Sequence, residues 1–252
     1  MNKIKLAPLA ALLITAGAAN AAAVTVTFDN PIFGGFGGTT SDTVRITYPG
    51  HADVNVAAGR FSGSASALDG VTPSIFIDGV NSLFMYCYDL FEGIRGGQVV
   101  RYNINFNGPT ARTLDFLGAV NYVMHNESNV WDDPYAWARP FTGLQGAAIQ
   151  LGIWESLYES RDKWNLASGD FSVRINDLER ETKYWVQAFF DAIPLANSLD
   201  KRYAMTLEAT GAQDMITADP PVAPAASVPE PASLALLATA LAGLGLGRRR
   251  RT

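Results

Sequence analysis

The chain has one cysteine and two histidines in 252 residues. Cys87 therefore has no partner for an internal disulfide. His51 and His125 lie far apart, with no Cys or carboxylate pattern around them, so the sequence points to no metal site and no His-based triad. Positive charge is scarce as well. The formal net charge is −5; residues 1–21 carry +2 and residues 229–252 carry +3, which leaves −10 on residues 22–228. A domain that acidic repels phosphate backbones, which argues against nucleic acid as a partner. Gly96-Gly97 follows no strand-to-helix pattern, so a phosphate loop is absent too. No acid–base pair or nucleophile–base set stands out, and neither a cofactor nor an enzyme with turnover is expected.

What the chain does have begins at its ends. Met1 to Ala21 opens with Lys3 and Lys5, runs apolar from Leu6 to Ala16, and closes on Ala19-Asn20-Ala21. Charged start, apolar middle and small-residue exit describe a secretory signal peptide over residues 1–21, with a cut after Ala23 as the competing site. At the other end, residues 213–228 read as a linker that becomes rich in Pro, Ala and Ser from Pro220. Val228-Pro229-Glu230-Pro231 follows, then an apolar run from Ala232 to Gly247, then Arg248-Arg249-Arg250-Arg251. That run is slightly short for a stable span, and the arginines hold its far end in the cytoplasm. This three-part tail, residues 229–252, resembles the PEP-CTERM sorting signal of Gram-negative bacteria. The resemblance implies an exosortase-type processing enzyme as partner, transient inner-membrane anchoring through this tail alone, and delivery to the cell surface or extracellular matrix. A plain C-terminal membrane anchor is the simpler alternative, and either tail implies export.

Between the ends, the hydrophobic period changes once. Val24–Phe28, Thr43–Tyr48, Asn55–Ala58, Gly59–Ser66, Ser74–Ile77, Leu83–Asp89 and Val99–Asn105 read as strands. From Thr113 to Asn126 the spacing turns helical, with Thr113 as the expected N-cap. Further helices are expected over about 143–161 and 176–195, and a returning strand over 203–209. Strands, then helices, then a closing strand predict an α+β domain over residues 24–212. Its expected form is an antiparallel β-sandwich or barrel with a helical insertion of about three helices.

Cys87 sits in Phe84-Met85-Tyr86-Cys87-Tyr88-Asp89 on a predicted strand, so Tyr86 and Tyr88 should face away from it. On the second helix, Ala147, Gln150 and Trp154 fall on one stripe. A glutamine on a helix given over to packing is costly unless its amide is hydrogen-bonded or has reacted. Tyr86-Cys87-Tyr88 together with Ala148-Ile149-Gln150-Leu151-Gly152-Ile153-Trp154-Glu155 resembles the thioester domains of bacterial surface adhesins. Those domains pair a strand Cys, flanked by aromatics, with a helix Gln in a Gln-x-Ala-Ile-Trp signature; Gly152 stands here in place of the Ala. The stretch Ala119 to Asn126 is similar to the Tyr-Ile-Leu-x-Asn segment between those motifs.

The resemblance implies that the Cys87 thiolate attacks the Gln150 side-chain amide, expels ammonia and leaves an internal thioester, with Tyr86, Tyr88 and Trp154 as supporting residues. An amine on a surface protein or matrix polymer would then displace the sulfur, in an acyl transfer run once. The expected protein is an exported adhesion or biofilm-matrix attachment module. The competing expectation is a non-covalent polysaccharide- or matrix-binding protein with an inert buried cysteine. Gln145 is the rival acyl donor. Asp132-Asp133, beside Trp131, Tyr135 and Trp137, is read as an acidic surface loop before any calcium or sugar site.

Overall fold

A computed structural model describes residues 22–128 and 133–220. The predicted signal peptide, the sorting tail, and Trp131 with Asp132 fall outside the described residues. Nine strands and three α-helices make up the described part: β1 (Ala23–Phe33), β2 (Asp42–Tyr48), β3 (His51–Ala58), β4 (Phe61–Asp69), β5 (Leu83–Cys87), β6 (Val99–Asn105), α1 (Ala111–Ser128), α2 (Gly143–Tyr158), β7 (Ser172–Val173), α3 (Arg180–Ala192), β8 (Met205–Glu208) and β9 (Met215–Thr217).

Strands β1, β4, β5, β9, β8 and β6 close an antiparallel barrel, and β3, β2 and β7 form a second, three-stranded sheet. The fold is α+β, with the helices inserted between barrel strands β6 and β8. Alternation in the sequence becomes alternation of burial. Val24, Val26 and Phe28 of β1, and Val44, Ile46 and Tyr48 of β2, point into the core, while the threonines between them reach outward. The run Asn55–Ser66 reads as two strands, and Gly59-Arg60 is where the chain leaves the small sheet and enters the barrel.

Three local expectations change. Ser74–Ile77 is not a strand: Pro73–Ile75 forms a 3-10 turn with the proline at its start, where its missing N–H is not needed. Thr110, not Thr113, caps α1, its hydroxyl accepting the Thr113 N–H at 3.1 Å. The folded unit also extends past residue 212. Met215–Thr217, expected within the linker 213–228, is a central barrel strand paired to β5 and β8. Its side chains Met215 and Ile216 are wholly buried. Three residues are too few to show an alternating period, and only the barrel gives them partners.

Helix α2 is the centre of the domain. It starts at Thr142, whose side chain accepts the Gln145 N–H, and residues 145 to 156 are buried without interruption. Gly146, Ala147, Ala148 and Gly152 keep it thin enough to sit between barrel and outer helices. At Gly152 the fit is tightest, because a β-carbon there would lie 1.9 Å from the Phe116 ring of α1. Phe116 in turn meets Trp164, Phe189 and Phe190. Gly152→Ala is therefore expected to destabilise the domain by about 1–3 kcal/mol through overpacking. Thermal unfolding checks this, and Phe116→Leu in the same chain should recover part of the loss.

Candidate functional site

Strand β5 carries Cys87 at its end. Its pairing with β4 stops where Met85 faces Phe61, while pairing with β9 continues to Cys87 opposite Met215. The N–H of Tyr88 donates to Asp214 O at 2.7 Å on the β9 side. Alternation along a strand then turns the N–H and C=O of Cys87 toward the opposite edge, where β4 has ended. Gln150 of α2 fills that gap. Its Oε1 accepts the Cys87 N–H at 2.8 Å, and its Nε2 donates to the Cys87 carbonyl at 2.8 Å. One side-chain amide thus stands in for a strand partner, and both groups of a wholly buried glutamine are satisfied.

Gln145, the rival acyl donor, is elsewhere. Its Oε1 accepts the Phe141 N–H at 2.7 Å, across the start of its own helix, and no bond joins it to Cys87. Trp154, one turn after Gln150, packs against Phe171 and is buried, with no acceptor for its indole N–H. Tyr86 and Tyr88 brace β5 from the other side. The Tyr86 hydroxyl donates to Trp137 O at 3.2 Å, and the Tyr88 hydroxyl accepts the Thr110 N–H at 2.9 Å. They fix the strand against the turn at Ala136–Ala138 and the start of α1, and neither hydroxyl bonds to Gln150. Trp137 itself is fully buried, its backbone N–H donating to Asn121 Oδ1 at 2.7 Å and its indole N–H without an acceptor. Asp133 pairs with Arg139, and no group of carboxylates, histidines or cysteine among the described residues suits a metal.

Two residues that sequence reasoning did not mark complete the surroundings. The Asp89 carboxylate accepts N–H groups from Phe91 and Asp214, tying the end of β5 to the loop that follows and to the approach to β9. Gln213, also buried, donates to Asp89 O at 3.0 Å and lines the same pocket as Cys87. Asp89 had a sequence signal, the even spacing that puts it on the Cys87 face. Gln213 had none, lying in what reads as linker.

The electrostatics of the pair are those of a buried site. Burial pushes the Cys87 thiol well above its ordinary value, the Asp89 charge adds to this, and the Gln213 side chain opposes it. Burial likewise raises the Asp89 carboxyl to about 6. A pocket of about 340 Å³ leads from the surface to the site. Cys87, Trp154 and Gln213 line its inner part, with Phe33, Phe61 and Leu90 among its apolar walls. Cys87 is 2 % exposed, so this pocket is its contact with the outside.

Comparison with known proteins decides one end of the chain. Residues 227–251 match the PEP-CTERM protein-sorting motif. The chain is an exported protein. The motif marks it for an exosortase-type processing enzyme, with transient membrane anchoring before release to the cell surface or extracellular space. No helix among the described residues is long and apolar enough to cross a membrane. No curated protein and no solved structure matches the chain, so no relative connects residues 24–212 to the adhesin thioester domains.

Glu155 follows Trp154 on α2 and is wholly buried. One oxygen accepts the Asn165 N–H and the other has no partner. Burial raises its carboxyl from 4.5 to about 7. A raised carboxyl contributes stability that is complete below pH 4.5 and lost as pH rises through about 7. Glu155→Gln should match the parent in acid and exceed it at pH 8, by at most about 3 kcal/mol. Melting temperatures across pH 4 to 8 read the difference.

Proposed function

We propose that this exported protein captures an amine-bearing partner covalently, through a thioester formed between Cys87 and Gln150. The observation that carries the proposal is their pairing, with the Gln150 carbonyl held by the Cys87 N–H at 2.8 Å and Cys87 itself lining a largely apolar pocket. The sequence pattern around both residues adds its resemblance to adhesin thioester domains.

The chemistry balances without any further reactant. The Cys87 sulfur adds to the Gln150 amide carbon, the carbon–nitrogen bond breaks, and the thiol proton leaves on ammonia. Negative charge gathers on Oε1 during the addition, and the Cys87 N–H is aimed at that atom. The thioester is an activated acyl group kept from water by burial. When an amine enters, a nitrogen–carbon bond forms, the carbon–sulfur bond breaks, and the amine's proton passes to sulfur. A site that raises the thiol's affinity for protons favours that leaving group as a neutral thiol. The product is an amide between Gln150 and the partner, suited to attaching an exported protein to a surface protein or a matrix polymer.

A second reading has observations of its own. The Gln150 amide is fully satisfied as an unreacted side chain, and burial keeps the thiol protonated. These features fit an inert cysteine in a non-covalent, matrix-binding exported domain. Intact mass separates the two. The folded domain is expected to be lighter than its sequence by one ammonia, and Cys87→Ala and Gln150→Ala should each restore the full mass. Methylamine should add its own mass to the parent and expose one thiol. Full mass with a freely titratable thiol in the untreated protein would rule out the covalent reading.

A further inference from the structure

The pocket that reaches Cys87 has apolar walls but a charged mouth. Of the residues lining it, Glu92 alone carries a formal charge. No Lys, Arg or His lines it. Glu92 is exposed, and among the described residues it forms no ion pair, so its charge is not neutralised by the protein. Its backbone N–H is held by the Asp89 carboxylate at 3.5 Å, which helps fix the loop carrying it. The Asp89 and Asp214 carboxylates lie within electrostatic range of Glu92, and all three are acidic. Deeper in, the unpartnered indole N–H belongs to Trp154, a donor without an acceptor in a wall of the same pocket.

A largely apolar pocket with an unpaired carboxylate on its rim discriminates by charge. A cation is drawn to the mouth and an anion is repelled, because a low-dielectric wall focuses the field of the exposed charge. We propose that Glu92 makes the route to Cys87 selective for positively charged molecules, so that what reaches the inner site is a group borne on a flexible, cationic, largely apolar arm. The proposal deepens the covalent-capture reading, in which that group is the attacking amine. The selectivity itself is a property of the passage and is measurable whether or not a thioester forms.

Cys87 is the only cysteine, so thiol reagents report on this route alone. The protein is used as it is if its thiol is free, or after methylamine has opened the thioester. It is then treated with methanethiosulfonates bearing a trimethylammonium-ethyl or a sulfonatoethyl group. Each transfers its thioalkyl group to the Cys87 sulfur and releases methanesulfinate, and intact mass follows the rate. A unit charge met at about 4 Å in water changes a rate about fivefold, so, with each rate divided by that reagent's rate on a small free thiol, the cationic reagent should outrun the anionic one by more than tenfold at low salt.

Glu92→Gln should reduce that ratio by more than tenfold, to near unity, and Glu92→Lys should reverse it. Ala57→Trp, an exposed wall position, should slow both reagents alike. Circular dichroism establishes that each variant is folded, and Glu92 lies in an exposed loop where these changes are tolerated. Equal normalised rates for the two reagents in the parent protein would overturn the proposal. So would a charge preference left unchanged in folded Glu92→Gln. The mass of the untreated protein reports separately on the thioester, so each idea fails by its own measurement.

Discussion

The structure turns on a side chain that takes the place of a strand. Where β4 ends, the backbone of Cys87 is left without a partner inside a closed barrel, a position with no water to supply one. The Gln150 amide offers a donor and an acceptor at the spacing of a peptide group and fills both vacancies. Much else follows from that pairing. Helix α2 has to lie against the barrel at one height and one rotation, which requires it to be buried all round and slim at Gly152. Phe116, Trp164 and Phe190 then close over its far side.

The same constraint makes the site chemically pointed. A hydrogen bond that stabilises a resting glutamine polarises the carbonyl that a nucleophile would attack, and the nucleophile belongs to the residue giving the hydrogen bond. Satisfaction of a buried polar group and the proposed acyl transfer would draw on the same hydrogen bond. The surroundings then decide which protonation states are comfortable. Burial and the Asp89 carboxylate disfavour a standing thiolate, which matches a sulfur that departs as a thiol. Glu92 is the one charged residue lining the pocket that reaches Cys87.

Export and fold class were legible in the sequence, and so were the two residues at the centre of the site. The tail could be read because sorting depends on a linear order of motif, apolar run and basic cluster. Barrel strands such as Val99–Asn105 were legible because one face of each is buried, which forces alternation. Cys87 and Gln150 stood out by type: a lone cysteine in an exported chain, and a polar residue on an apolar helix. Gln213 and β9 were not legible. Three residues with two buried apolar side chains carry no period, and a glutamine beside a turn has no feature that ties it to a cysteine far back in the chain.

By itself the sequence determined the address, most of the strands and the three helices, and the residue types capable of acyl chemistry. These are local properties, set by composition and by periods of two and 3.6 residues. Only the tertiary structure decided that pairing with β4 stops two residues short of Cys87, and that Gln150 rather than Gln145 meets the vacancy. It also decided that the tyrosines beside Cys87 brace the strand from behind, and that Glu92 lines the same pocket as Cys87. Those facts depend on where separate segments come together, and barrel closure fixes that for the whole domain at once.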